Sequence, residues 1–398
     1  MNKPTMNKPT MNKPTINKPT INKPTMNNKD LPGLYIHVPF CKTKCPYCDF
    51  YSITDPSLIQ SWLDGVQKEA LIYSKEGFSA FDTLYIGGGT PSILGEYELE
   101  QLIVSLRKSF AFSPDAEVTI EMNPDDITPP RLACYKALGI NRLSVGVQSL
   151  QEEELRFLQR RHTAVAAERA MELMQSSGFH NFGVDLMYGF HGQTKRSWAN
   201  TLERVLSWEP AHLSCYQLTV SDGTPFGRMV SEGKLKRITE EQERRFFTYT
   251  SHFLQDHGFI HYEVSNFAKG EEYFSCHNLK YWQRTAYLGL GPGAHSFRDN
   301  VRWWNCRSVR DYCHLLLEGK RPVAGQEKLS PEQVRLEKLL LGFRTQNGVN
   351  VDDIVYQSSD SEMLVQLKSS GIVRVEGNRV SPTLNGYLIA DRIPLMFF

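Results

Sequence analysis

Between residues 33 and 220, short β-prone runs alternate with longer amphipathic stretches. This alternation constrains the fold of the 398-residue chain more than any other feature. The runs are GLYIHV (33–38), TLYIG (83–87), EVTIEM (117–122), RLSVGV (142–147), FGVDLMY (182–188) and LSCYQLTV (213–220). Among the stretches between them are residues 57–73, 98–110, 164–178 and 197–208. Asp55-Pro56 and Ser57 read as a helix start, and Gly139 and Gly178 as helix stops. Strand–helix alternation predicts βαβ units and a parallel sheet. Six repeats predict an α/β fold, a partial (β/α)6 barrel; a doubly wound sheet is the structural alternative.

In such sheets chemistry collects at the carboxyl ends of the strands. Cys41 follows the first run, and Gly87-Gly88-Gly89-Thr90 follows the second. Glu121 closes the third, Gln148 the fourth, and Asp185 lies within the fifth. These five groups are predicted to converge on one face.

Beyond residue 225 the rhythm stops. Residues 240–255 read as a helix, followed by aromatic-rich irregular segments. Residues 331–345 and 360–370 read as helices, and 372–383 as a hairpin turning at Gly377-Asn378. That order predicts a winged-helix-like module with a packing or interaction role, because no basic stripe accompanies it. The expected organisation is a tail (1–30), a barrel (31–225), an extension (226–325) and the terminal module (326–398).

The tail holds five pentapeptide copies, MNKPT three times and INKPT twice. Each has a Pro and no large apolar face, so the tail is predicted to be disordered. Six Lys and one Asp give it +5, which leaves +1 − 5 = −4 on the rest. The near-neutral whole gives no reason to invoke nucleic acid or an anionic membrane. The tail has no apolar secretory core, and no apolar run suffices for a membrane span. Cytoplasmic location without a membrane anchor is therefore the expectation, and homodimerisation is left open.

Of eight cysteines, three cluster in CKTKCPYC, at Cys41, Cys45 and Cys48. Three thiolates cannot complete four-coordinate zinc or hold all four irons of a cubane. Zinc with a remote fourth ligand is one reading, though its usual signature is two Cys-x-x-Cys pairs. A 4Fe–4S cubane with one open iron is the other. An open iron can chelate an amine and a carboxylate, which the methionine moiety of S-adenosylmethionine presents.

A Cys-x-x-x-Cys-x-x-Cys motif after a first strand, with Tyr47 before the third Cys, resembles the radical S-adenosylmethionine (SAM) superfamily. There a reduced cluster injects an electron into the sulfonium and generates a 5′-deoxyadenosyl radical. YIHVPFCKTKCPYCDF, with GGGTP, EMNP, GVQS and DLMYG, resembles the narrower family of oxygen-independent coproporphyrinogen oxidases and their relatives. The resemblance runs from about residue 33 to the C-terminus.

The resemblance implies that Gly88, Gly89 and Thr90 face the methionine part of SAM, and that Tyr35 and Tyr47 contact the cofactor. Glu121 can accept hydrogen bonds from it; alone, it would read as a solvated strand end. Gln148 joins this set. Arg160 is the candidate for the cofactor carboxylate, which guanidinium matches bidentately; family spacing selects it over Arg161. Asp185, in an apolar strand, needs partners, which a ribose or adenosyl contact would supply.

The oxidases resemble Cys-x-x-x-Cys-x-x-Cys-x-Cys, whereas this chain has Phe50 at the last position. CHNLKYW (276–282) matches the His-Asn-x-x-Tyr-Trp motif of the family's haem-chaperone branch. His277 would ligate haem iron while Tyr281 and Trp282 pack on the macrocycle; a buried His-Tyr-Trp core patch is the structural reading. The resemblance therefore implies a haem chaperone with a 4Fe–4S cluster, SAM and haem. Its partner would be an acceptor haemoprotein such as a respiratory enzyme. Coproporphyrinogen III dehydrogenase is the enzymatic rival. Because the motif lies beyond the six runs, a separate haem surface on the C-terminal part is expected.

Overall fold

The computed structural model describes residues 31–398, so the pentapeptide tail lies outside the described residues. Six parallel strands follow the predicted runs: β1 (Gly33–Val38), β2 (Ala80–Gly88), β3 (Ala111–Met122), β4 (Arg142–Gln148), β5 (Phe182–Tyr188) and β6 (His212–Gln217). They pair in sequence order, each strand with the next. A doubly wound sheet reverses direction at a switch point. This sheet steps one way throughout, as a barrel does, which excludes that alternative. It does not close: the strands at its two ends pair on one side only.

The crossover helices form for the reasons expected of them. Helix Ile59–Ser74 buries Trp62, Leu63, Val66, Ala70 and Tyr73 at helical spacing. Trp62 also donates its indole N–H to the His37 carbonyl (3.1 Å), which ties this helix to the end of β1. Helix Lys195–Leu206 opens with a Thr194/Ser197 capping box and buries Trp198, Leu202 and Val205. Gly139 and Gly178 close their helices at φ 77° and 73°.

The segments read as irregular are structured. Strands β7 (Ile260–Glu263) and β8 (Asn266–Ala268) extend the sheet beyond β6. On the other side, β9 (Tyr287–Leu290) pairs parallel with β1, and β10 (His295–Arg298), β11 (Val301–Asn305) and β12 (Val323–Lys328) continue antiparallel. The β10–β11 turn is Asp299-Asn300, both at positive φ (55° and 60°), as a type I′ hairpin turn requires. Between the two additions, helix Cys276–Trp282 carries the His-Asn-x-x-Tyr-Trp motif.

Residues 331–398 begin with helix Pro331–Gly342, β13 (Val349–Asn350), helices Val351–Ile354 and Ser358–Ser369, then β14 (Val373–Glu376) and β15 (Arg379–Pro382). This is the element order of a winged helix. Its apolar core is its own, built on Leu339, Phe343, Ile354, Leu364, Leu367 and Phe397. The hairpin turns at Gly377, at φ 58°.

Candidate cofactor site

The carboxyl ends of the parallel strands open on one cavity of about 420 Å³. It is lined by Cys41, Cys45, Cys48, Tyr47, Gly88, Gly89, Thr90, Glu121, Gln148, Arg160 and Asp185. All but one of the residues expected at the cluster and SAM are thus brought together. The exception is Tyr35. It is paired with Tyr85 across β1 and β2 and lies deeper in the barrel, where its hydroxyl bonds His37 Nδ1 at 2.9 Å.

The thiol loop is fixed from several sides. Cys41 N–H donates to the Ile53 carbonyl (2.9 Å), and Cys48 N–H to that of Cys45 (3.2 Å). Thr90 Oγ1 donates to Cys41 Sγ (3.4 Å), and Arg160 Nη1 to Cys45 Sγ (3.5 Å). Tyr47 packs with Leu158, Met187 and Phe190, and Phe226 N–H caps the Pro46 carbonyl at 3.0 Å. Phe50 lines the rim and is 62% exposed.

The glycine triplet leaves room by necessity. Gly88 sits at φ 112°, and a Cβ there would meet the His37 ring at 2.6 Å. At Gly89 a Cβ would lie 2.7 Å from the Phe40 carbonyl oxygen. Glu121 accepts Gly88 N–H on Oε2 (3.0 Å) and the Tyr85 hydroxyl on Oε1 (2.9 Å). Burial raises its carboxyl to about 7, against the pull of those bonds. Asp185 accepts from Ser144 Oγ (2.9 Å), and burial raises it too. Gln148 occupies the left-handed region at φ 67° beside a register shift between β4 and β5; such local strain is typical of functional sites.

The two neighbouring arginines have different tasks. Arg160 donates to the Gly146 carbonyl (2.6 Å) and to Cys45, and its buried Nε has no partner. Arg161 instead pairs with the buried Asp126. Arg160 itself lines the cavity, where its guanidinium matches a carboxylate. The donor set of three thiols on one loop, glycines without Cβ and this arginine fits an iron–sulfur cluster with bound SAM.

The motif residues lie elsewhere. His277 is 1% exposed. Its Nδ1 bonds Thr83 Oγ1 and its Nε2 bonds the Tyr281 hydroxyl, both at 2.8 Å. Glu117 accepts the N–H groups of Cys276 and His277, each at 3.0 Å. The His277 ring stacks on Tyr85 at 5.1 Å. His277 thus stands against β2 and β3 of the barrel and not on a surface of the C-terminal part. Burial holds the ring neutral, lowering its pKa to about 3. Trp282 lies at the opposite end of the motif, lining a cleft with Lys338, Gly342 and Arg379.

Sequence reading missed Tyr85, Ser144, Gly146 and Asp126. Period-two spacing offered a signal for three of them: Tyr85 precedes Gly87 by two residues on β2, and Ser144 precedes Gly146 by two on β4. A Cβ at Gly146 would crowd Gln148 Nε2 (3.0 Å) and Arg160 Nη2 (3.3 Å).

Strand order and the thiol-rimmed cavity together define a radical SAM protein, and the radical SAM superfamily model matches residues 35–205. Heme chaperone HemW of Mycobacterium tuberculosis (strain ATCC 25618 / H37Rv) is 33% identical over 368 residues, 91% of this chain and 93% of that protein. Heme chaperone HemW of Bacillus subtilis (strain 168) is 32% identical over 370 residues, 90% and 97% of the two chains. The chain belongs to the HemW family within the radical SAM superfamily. The solved structure of Escherichia coli coproporphyrinogen III oxidase (HemN) superposes with a TM-score of 0.79 at 24% identity, covering 92% of this chain and 90% of that one. At that identity the likeness concerns the fold alone. Among the described residues no helix is long and apolar enough to cross a membrane.

Proposed function

We propose that this protein is a haem chaperone that carries a 4Fe–4S cluster on Cys41, Cys45 and Cys48, binds SAM beside it, and passes haem to an acceptor haemoprotein. The observation that carries the reading is relatives named for haem chaperoning that match about nine-tenths of the chain from end to end. Gly88, Gly89, Thr90 and Arg160 are the groups that would hold the methionine part of SAM. Glu121, Gln148 and Asp185 line the rest of the cavity. A reduced cluster supplies single electrons when bound; the protein orients the cofactor and narrows solvent access.

His277 is the proposed iron ligand, with Tyr281 and Trp282 against the macrocycle. Ligation requires His277 Nε2 to exchange the Tyr281 hydroxyl for iron. Anaerobic reconstitution followed by haem titration tests the reading. Saturable Soret-band binding that weakens in His277→Ala supports it; non-saturable binding, or binding indifferent to that change, overturns it. Coproporphyrinogen dehydrogenase activity is not expected with Phe50 at the rim, and porphyrin fluorescence from coproporphyrinogen, reductant and SAM would contradict this.

A further inference from the structure

Strands β2 and β3 present two layers of inward-facing polar groups. In the deeper layer, Thr83 bonds His277 Nδ1, and Glu117 accepts the first two N–H groups of helix Cys276–Trp282. In the upper layer, Tyr85 and Glu121 meet at 2.9 Å, and Glu121 also holds Gly88. Tyr85 belongs to both layers. Its hydroxyl lies on the cavity wall against Glu121, and its ring stacks on His277 with 25° between the planes.

We infer that Tyr85 is a positioning residue that links occupation of the SAM cavity to the freedom of the His277 helix. The inference rests on the assignment of the cavity to SAM. Glu121 Oε1 accepts the Tyr85 hydroxyl, so a cofactor hydroxyl or ammonium that draws this carboxylate into the cavity pulls it away from the tyrosine. Release of the Tyr85 hydroxyl removes the bond that holds its ring flat against His277. The helix then keeps Thr83 and Glu117 but loses its support on the cavity side. Linkage is reciprocal: a ligand that draws His277 away would in turn free Tyr85 and alter SAM affinity.

Amide hydrogen exchange across residues 276–282 tests this in the anaerobically reconstituted protein, with and without saturating SAM. Exchange in the wild type is expected to rise at least about fivefold with SAM, the lower end of typical coupling. Tyr85→Phe keeps the ring and removes the hydroxyl, so SAM should leave its exchange unchanged. Thr83→Val is the second variant, because it alters the helix anchor without touching the cavity lining. It should raise basal exchange and retain the response to SAM. A wild type whose exchange ignores SAM overturns the linkage, as does a Tyr85→Phe protein that responds like the wild type. Equilibrium dialysis of SAM on the same samples separates the two readings. If SAM does not bind, the cavity assignment falls; if SAM binds and exchange across residues 276–282 is unmoved, the role of Tyr85 falls.

Discussion

Asp126 is the residue whose removal should do most harm to the cluster loop without touching a thiol. It ends the turn after β3, with its side chain 3% exposed. Oδ1 accepts from Lys42 Nζ (2.9 Å), and Oδ2 from Ser92 Oγ (2.7 Å) and from Arg161. Lys42 follows Cys41, and Arg161 follows the arginine that reaches Cys45, so one carboxylate ties the loop to the segment that contacts it. Lys42 is 54% exposed and can return to water, so its share is at most about 1 kcal/mol. Arg161 and the buried Ser92 each lose a hydrogen bond to a charged group, worth about 1.5–3 kcal/mol. Asp126→Ala should therefore lower stability by about 3–7 kcal/mol, a range that includes the cost of breaking a buried pair from one side. Asp126→Asn keeps an acceptor and should lose about half of that. Anaerobic urea unfolding followed by circular dichroism measures the loss, and iron content after brief exposure to air reports on the loop. An alanine variant within about 0.5 kcal/mol of wild type, the range of an ordinary surface change, with unchanged iron, would refute the argument. Burial alone would raise this carboxyl, but Lys42, Ser92 and Arg161 hold it below its ordinary value. Its stabilisation is thus present above the unfolded carboxyl pKa of about 3.9 and lost as pH falls through the folded value.

Replacing Cys41, Cys45 and Cys48 together by Ala should abolish the brown chromophore; iron and sulfide at wild-type content in that variant would sink the cluster assignment. Arg160→Lys cannot reach Gly146 and Cys45 while offering a further N–H, so SAM affinity measured by equilibrium dialysis should fall about 10–100-fold, the worth of one charge-assisted hydrogen bond. Glu69, at 0% exposure, accepts from Tyr312, Gly291 and Asn305, and burial raises it to about 7. A raised carboxyl contributes stability that is full below its unfolded pKa and declines as pH rises through the folded one. Glu69→Gln should therefore flatten the fall in stability between about pH 4.5 and 7, roughly 3 kcal/mol at about 1.4 kcal/mol per pKa unit; equal slopes in urea titrations would contradict it.

The strands that build the barrel were legible because each is a short apolar run between helices with clear periodicity. The added strands were not. β12 reads VAGQEK and alternates between half-buried and exposed positions, so its hydropathy is that of a loop. β7 and β8 have four and three residues, too few for period two to register, although Asp299-Asn300 was a usable signal for the β10–β11 hairpin. At the site, thiols, glycines and strand-end carboxylates were legible because their chemistry is carried by residue type and position. Tyr85 offered only its period-two spacing and Asp126 nothing, since their roles depend on which side chains the fold sets beside them.

The parallel register changes what the His-Asn-x-x-Tyr-Trp motif means. In sequence it lies ninety residues past Asp185, and nothing in it points to the barrel. In the fold, Thr83 and Glu117 are register partners across β2 and β3, and both hold the start of the motif helix. Presenting the His277 ring to iron would require it to leave Thr83 and Tyr281. Freeing it costs two hydrogen bonds of about 1 kcal/mol each and an aromatic contact of about 0.5–1.5 kcal/mol. If the freed form alone is competent, about 3 kcal/mol of opening weakens apparent haem affinity roughly 100-fold relative to the open state. For a haem carrier, such a penalty acts on release as well as on loading. If His277 is the ligand, its reclosure onto Thr83 and Tyr281 would compete with iron, and the fold would then favour handing haem on over retaining it.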